Sequence, residues 1–231
     1  MKKRNMMLFG VLAAALAATG CGAKANTEVP ETVGEELTAE LPEEELDTED
    51  YEEDTLSGTD LSYLEWLPAG VELKQSEAAA NEDIKNIIAQ YYEIPEDAWE
   101  ETRYYYNYVD LNEDGTEEAF VTVLGSWVGG SGGLSALWID MEELSVIQAF
   151  TQMDTPVIVS DEMTDGYHGL ILRQYGDGDA EGILLTNKNG VYTNVSDAAP
   201  VESLEEVTGT AILCNDLAGD METGNYLTLA D

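Results

Sequence analysis

From Arg103 onward the chain is divided into short apolar and mixed runs of the length and composition typical of β-strands. Turn-forming residues separate most of these runs, as the segment Asn187–Gly190 does between two late ones. Short strands at this spacing predict an antiparallel sheet, arranged as a sandwich or as part of a propeller. The predicted strands cover residues 103–109, 118–125, 134–140, 144–150, 155–160, 168–174, 181–187, 190–194 and 208–214.

The segment Ser76–Tyr92 has the spacing of an amphipathic helix instead. Asn81 is a suitable N-cap, and two acidic residues follow it in the first turn. Pro95 ends this segment and opens a shorter helical turn through Trp99. The predicted fold class is therefore α+β, predominantly antiparallel β with one or two N-terminal helices. The helix side chains expected to be buried are Ile84, Ile87, Ile88 and Tyr91.

The first twenty residues have the organisation of a secretory signal peptide. Three basic residues precede a short apolar stretch, Met6–Ala18, which is too short to span a bilayer permanently. Cys21 directly follows Ala18-Thr19-Gly20, which resembles the lipobox at which bacterial lipoproteins are cleaved and lipidated. We expect residues 1–20 to be removed and Cys21 to anchor the protein at the extracytoplasmic face of the cell membrane. The alternative is an ordinary secreted protein that is cleaved nearby.

Residues 21–60 are predicted to form a disordered tether, because 15 acidic residues and one lysine leave little apolar surface to bury. Residues 61–231 are long enough for a single domain with a substantial core. That domain carries 33 acidic and 5 basic residues, a formal charge of −28. Such a surface repels nucleic acid, and we expect a monomer whose partner is an unknown protein or cell-wall ligand.

The two cysteines of the chain are not expected to form a disulfide. If Cys21 carries lipid, Cys214 has no internal partner. Cys214 lies in an apolar run, so the expected state is a buried and unreactive thiol.

The segment between the first two predicted strands has oxygen-bearing side chains at alternate positions, followed by a glycine. Calcium takes six to eight oxygen ligands in flexible geometry, which this pattern can supply from one short loop. We expect side-chain ligation by the first three positions, carbonyl ligation by the fourth, and direct or water-mediated ligation by the fifth. In order, these residues are Asp110, Asn112, Asp114, Thr116 and Glu118.

The loop follows the EF-hand pattern only in its first half. The last EF-hand position falls on Val121, which has no carboxylate, and the flanking segments are predicted strands instead of helices. Gly115 is expected to take a positive φ at the sharp turn. An Asp- and Gly-rich turn that holds no metal is the alternative.

A weak internal repeat, offset by 51 residues, places Asp161, Asp165 and Gly166 in register with Asp110, Asp114 and Gly115. Two of its ligand positions have become Met163 and Gly169, so only the first copy is expected to bind metal; chance similarity between two Asp-Gly turns is the alternative. The glycine-rich segment Gly129–Gly133 lacks the Lys-Ser/Thr of a phosphate-binding loop and is expected to be a flexible hairpin loop. The flanking Trp127 and Trp138 are expected in the core.

The lipobox, the acidic stalk and the run DLNEDGTEEAFV followed by GGSGG resemble a family of Gram-positive surface lipoproteins of unknown function that carry a DLNGDG-x-x-E loop. The loop itself resembles the calcium loops of integrin-type (FG-GAP) repeats. Glu113 stands where the family has glycine, which adds charge without removing a ligand. The resemblance covers most of residues 76–225 and implies a surface location and calcium binding, but no reaction.

The first functional hypothesis is a membrane-anchored extracellular binding module with one structural calcium site and no catalytic activity. The second is a cell-wall or surface hydrolase, for which paired carboxylates, or His168 with Cys214 and Asp165, are the candidate groups. A third possibility is an inhibitor or assembly partner of another envelope protein. No nucleophile motif surrounds His168 or Cys214, so we favour the binding module.

Overall fold

The domain consists of two β-sheets that pack face to face. The structure is a computed structural model, and it describes residues 61–129, 133–174 and 180–231. The expected signal peptide, Cys21 and the tether lie outside the described residues, as do residues 130–132 of the glycine-rich segment. The helices are α1 (Glu82–Tyr91) and α2 (Leu217–Thr223), with 3-10 helices at Glu96–Glu101 and Val195–Asp197. The strands are β1 (Val71–Leu73), β2 (Arg103–Val109), β3 (Glu118–Leu124), β4 (Leu134–Asp140), β5 (Ser145–Met153), β6 (Val157–Thr164), β7 (Tyr167–Arg173), β8 (Gly182–Leu185), β9 (Asn187–Lys188), β10 (Val191–Tyr192), β11 (Ala199–Val201), β12 (Gly209–Ile212) and β13 (Leu227–Thr228).

The central sheet has five antiparallel strands in the order β13-β2-β3-β4-β5. The outer sheet has six strands in the order β1-β12-β6-β7-β8-β11, and its one parallel pair is β1 with β12. A separate small hairpin consists of β9 and β10. The prediction of an α+β fold dominated by antiparallel sheet is confirmed.

The central sheet is covered on both faces. One face shares a core with the outer sheet, in which Phe120 and Trp138 meet Val159 and Leu170. The other face packs against α1 and the 3-10 helix after it, through side chains such as Val121. Six consecutive residues of β3, from Glu118 to Val123, are consequently buried.

The α1 helix begins at Glu82, and the residues before Asn81 in the predicted helical segment are not helical. There the Glu77 N–H donates to the Tyr106 carbonyl of β2 at 2.8 Å. Asn81 is the N-cap, as predicted, and its side chain accepts hydrogen bonds from two backbone N–H groups. The three isoleucines of the predicted stripe are buried, but Tyr91 is 47% exposed. The second predicted helical turn is confirmed as the 3-10 helix at Glu96–Glu101.

Several short elements were not predicted from the sequence. The strands β1, β11 and β13 are two or three residues long and exist only as partners of distant strands. The acidic segment after Cys214 is a further element without a signal in the sequence pattern. It forms α2, which Asp216 caps and in which Asp220 is buried, accepting a hydrogen bond from Asn225 at 2.9 Å.

Asn107 of β2 is a fully buried polar residue that ties the central sheet to two other segments. Its amide nitrogen donates to the Gln75 carbonyl, and its amide oxygen accepts from the Leu213 N–H, both at 2.8 Å. Leu213 has a φ of 57°, which a branched residue adopts only when its surroundings enforce it. Asn107 therefore supplies hydrogen-bond partners to two backbone groups, of Gln75 and Leu213, that lie outside the strands.

We predict that Asn107→Ala destabilises the domain by about 1–3 kcal/mol, because it leaves the buried Leu213 N–H unpaired and removes the donor to the Gln75 carbonyl. Urea unfolding followed by tryptophan fluorescence measures this change. The exposed Asn194, whose side chain donates to the exposed Asp197 carboxylate, provides the control, and its replacement by Ala should cost no more than about 0.5 kcal/mol. Equal effects of the two substitutions would contradict the bridging role.

Candidate calcium loop

The five predicted ligand residues lie in one hairpin connection between β2 and β3. Strand pairing ends at Val109 opposite Glu118, so residues 110–117 form the loop and Glu118 opens the following strand. Gly115 has a φ of 88°, as predicted, and Glu113 also takes a positive φ, of 56°. The strand flanks predicted for the loop are confirmed.

Hydrogen bonds from backbone N–H groups to carboxylates shape the loop. Asp110 accepts through Oδ1 from Asn112 and Asp114, at 3.3 Å each, and through Oδ2 from Gly115 at 2.9 Å. Asp114 accepts from Thr116 at 2.8 Å, and this bond is the main cause that lowers the pKa of the Asp114 carboxyl below its ordinary value of 3.8. A carboxylate has about four lone-pair sites, so one that accepts two or three such bonds still has a lone pair for a cation.

Glu118 is the buried carboxylate of the loop, with an exposed fraction of 6%. Burial raises its pKa above the ordinary value of 4.5, and the charges of Asp114 and Asp110 act in the same direction. The Leu111 N–H, which donates to Glu118 Oε2 at 3.3 Å, opposes that rise. The Trp138 indole also opposes it, although its Nε1 lies outside the geometry of a regular hydrogen bond.

The charge of Glu118 has no basic counterpart in the described part of the chain, where no lysine, arginine or histidine forms an ion pair with it. Burying a carboxylate without an opposite charge is unfavourable. The chain nevertheless places two further carboxylates beside it. The negative charge of Glu118 is therefore compensated only when a cation binds beside it or when its carboxylate is protonated.

The carboxylates do not converge into a coordination sphere in this structure. Among the described residues, no three Asp, Glu, His or Cys side chains lie close enough together to hold a metal ion. Two of the five predicted ligands are of other kinds, an amide oxygen of Asn112 and a carbonyl oxygen of Thr116. At present the Asn112 amide nitrogen donates to Asp114 Oδ2 at 2.8 Å. The structure therefore brings the predicted residues into one loop, and their coordination of an ion stays a prediction.

The loop is fastened to the outer sheet through Leu111, which is fully buried. The Leu111 carbonyl accepts from the His168 N–H at 2.9 Å. The His168 ring places Nδ1 2.7 Å from the Ser160 carbonyl and Nε2 3.6 Å from Glu113 Oε1. The contact between Leu111 and His168 was not predicted, because it joins segments that are distant in the sequence.

The proposed internal repeat does not form a second loop. Asp161 and Met163 lie within β6, and only Asp165 and Gly166 form the turn, with φ of 53° and 83°. Thr164 pairs directly with Tyr167 across this two-residue turn. The similarity is therefore restricted to an Asp-Gly turn between two strands.

The groups considered for nucleophilic catalysis are not brought together. Cys214 is a free and buried thiol whose pKa burial raises to about 11, and its Sγ donates to the Ala211 carbonyl at 3.2 Å. The cleft that His168 lines is not lined by Cys214 or Asp165. The expected buried state of Cys214 is confirmed.

The two tryptophans beside the glycine-rich segment have different environments. Trp138 is 2% exposed and belongs to the core between the sheets, as predicted. Trp127 is 52% exposed, so its predicted core position is wrong. It lies in a turn that closes with an isolated bridge between Gly125 and Val128, outside the named strands, and Gly129 after it has a φ of 84°.

Comparisons with protein-family models, curated proteins and solved structures find no match to this chain. The resemblance to Gram-positive surface lipoproteins therefore stays a prediction from the sequence. Within residues 61–129, 133–174 and 180–231, no helix is both long and apolar enough to span a bilayer.

We predict that Glu118→Gln removes a pH dependence of stability in metal-free protein. The folded pKa of Glu118 lies above the unfolded value, so this group favours folding at low pH and the benefit is lost as the pH rises through the folded pKa. The melting temperature of the wild type should therefore fall relative to that of the variant between about pH 4 and pH 7. Thermal unfolding across this range measures the difference.

Glu117 provides the matched control, because its side chain is exposed in the same loop. Glu117→Gln should show no comparable divergence from the wild type. A difference between wild type and Glu118→Gln that stays constant with pH would contradict the assigned effect of burial.

Proposed function

We propose that this protein is a lipid-anchored, extracytoplasmic binding module whose β-rich domain is stabilised by one calcium ion in the loop at residues 110–118. The proposal of an ion rests on Glu118, which is only 6% exposed and has two acidic neighbours. In the described part of the chain, no basic side chain forms an ion pair with it. A divalent cation would relieve the repulsion among these carboxylates and thereby stabilise the loop.

The available donors favour calcium over softer metals. Carboxylate, amide and carbonyl oxygens suit hard cations, whereas zinc and copper prefer histidine or cysteine ligands. The only histidine of the chain is His168, and its Nδ1 already engages the Ser160 carbonyl. The residues that would hold the ion are Asp110, Asn112, Asp114, Thr116 and Glu118.

The anchor is supported by the sequence of residues 1–22, in which a basic start, a short apolar stretch and Cys21 occur in the order of a lipoprotein signal. Attachment through Cys21 would place the domain outside the cytoplasmic membrane on its acidic tether. A strongly acidic domain in that location disfavours nucleic acid as a partner and favours a protein or cell-wall ligand.

Binding is favoured over hydrolysis because the candidate nucleophile is inaccessible. Cys214 is buried in a core cluster on the outer face of the outer sheet, with Ile158 and Ile171. Its raised pKa disfavours the thiolate that nucleophilic attack requires.

We predict that calcium raises the melting temperature of the purified full chain by roughly 5–10 °C at a hundred times its dissociation constant, because the ion binds the folded loop and not the unfolded chain. Asp114→Ala should abolish the shift, and Asp110→Asn should reduce it, since Asn keeps the hydrogen-bond acceptor but loses the charge. Differential scanning calorimetry with added calcium and with chelator measures these shifts.

Asp165→Asn is the matched control, because Asp165 occupies the corresponding Asp-Gly turn without the other ligands. This variant should respond to calcium as the wild type does. The absence of any calcium-dependent shift in the wild type would remove the calcium site and leave the metal-free turn.

We predict that Cys21→Ser abolishes the incorporation of labelled fatty acid and releases the protein from the membrane fraction, because the lipid is attached to that thiol. Cys214→Ala is the control and should keep both the label and the membrane location, since Cys214 is buried. Label that persists in the Cys21→Ser variant would contradict the anchor.

A further inference from the structure

A cleft of about 450 Å³ opens beside the candidate calcium loop, where β1, β6 and β12 of the outer sheet meet the end of β2 and the start of β7. Its floor is apolar, because Val159 and Ile212 line it and belong to the core between the sheets. These two side chains are only 8% and 2% exposed. Small-molecule sites have volumes of roughly 300–1,000 Å³ and combine an apolar surface with a few polar groups, so the cleft has the size and the floor of such a site.

The pairing of the outer strands places two acidic residues beside this floor. Glu72 of β1 pairs with Thr210 of β12, which pairs on its other side with Val159 of β6. Side chains of paired residues lie on the same face of a sheet, so Glu72 is on the face that forms the floor. Asp161 follows two residues after Val159, in a bulge where three residues of β6 lie opposite one residue of β7. Both acidic residues line the cleft.

The charged residues that line the cleft are predominantly acidic. Asp110, directly after β2, is the third acidic residue of the lining. Lys74 also lines the cleft, but its ammonium group already donates to a β2 carbonyl at 3.2 Å and lies 3.5 Å from Glu77, a residue outside the cleft. Within the described ranges, Glu72 and Asp161 take part in no ion pair. The charge of the cleft therefore complements a cationic ligand and opposes an anionic one.

His168 adds a hydrogen-bond acceptor to this lining. Its Nδ1 lies 2.7 Å from the Ser160 carbonyl, which can only accept, so Nδ1 carries a proton. In the neutral ring Nε2 then has a lone pair, and it faces another acceptor, Glu113 Oε1, at 3.6 Å. A donor placed beside these two acceptors would satisfy both. Because acidic residues predominate over the whole domain, the apolar floor and this pair of acceptors distinguish the cleft from the rest of the surface.

We propose that this cleft binds a small organic amine, which has an apolar body and one protonated amino group. The apolar body covers Val159 and Ile212. The ammonium group is attracted by the carboxylates of the lining, and its N–H groups donate to them and to Nε2 of His168. This inference rests on the proposed binding role of the domain and not on the calcium ion.

Isothermal titration of the full chain with hexylamine, in the presence of chelator, tests the proposal. Hexylamine should bind about fivefold or more tightly than 1-hexanol, which has the same apolar body without the charge. It should bind about tenfold or more tightly than methylamine, which has the charge without the apolar body.

Variants of the cleft test the two signs of charge separately. The double substitution Glu72→Gln with Asp161→Asn should weaken hexylamine binding by about fivefold or more, because it removes two attractive charges. Lys74→Met should tighten binding by about twofold or more, because it removes a repulsive one. A thermal melt of each variant checks that the fold is kept.

The matched control is the double substitution Glu142→Gln with Glu143→Gln. It removes two exposed carboxylates from the turn between β4 and β5, which does not line the cleft. Its affinity for hexylamine should equal that of the wild type, since exposed charges far from the ligand are screened by salt.

No binding of hexylamine at millimolar concentration, or binding no tighter than that of 1-hexanol or methylamine, would overturn the inference. A double cleft variant that binds hexylamine as the control does would overturn it as well. A calcium-dependent rise in melting temperature without hexylamine binding would overturn only the amine site. Hexylamine binding without that rise would support the amine site and overturn only the calcium site.

Discussion

Burial of the central sheet on both faces is the constraint on which the candidate site depends. The buried polar side chains of β2 and β3 have little access to water, so hydrogen-bond partners for them have to come from the protein itself. Asn107 finds two backbone partners, and Thr122 donates to the Ser135 carbonyl. Glu118 receives an N–H from Leu111 but no opposite charge. Glu118, which carries an uncompensated negative charge in the buried part of these strands, thus lies directly at the end of the acidic loop.

Much of the fold could be predicted because its long strands carry their own signals. Arg103–Val109 and Leu134–Asp140 occupy the residues that the sequence pattern indicates, and the Asn81 N-cap is correct. The short strands β1 and β13 could not be found, because two or three residues have no periodicity and their pairing is decided by the fold. The α2 helix is acidic and seven residues long, so its sequence is typical of a loop until Asp220 is seen to be buried.

The residues of the candidate site were predictable as a set, but their environment was not. The alternation of oxygen-bearing side chains identifies the loop, since spacing is local information. Glu118 is buried beside Trp138 of a neighbouring strand, and the contact of Leu111 with His168 joins residues 57 positions apart. Such long-range contacts determine the electrostatics of the loop, and they cannot be inferred from the local spacing of residues in one sequence.

The two Asp-Gly turns show how strand register gives similar residues different roles. Around Gly115, pairing stops at Val109 and Glu118, so eight residues are free to surround an ion. Around Gly166, pairing continues to Thr164 and Tyr167, which leaves no room for a ligand loop. The tight turn fixes one end of the β6–β7 pair while the core fixes the other, and the two surplus residues must leave the ladder as a bulge. The same register that excludes a second metal loop therefore places Asp161 in the cleft.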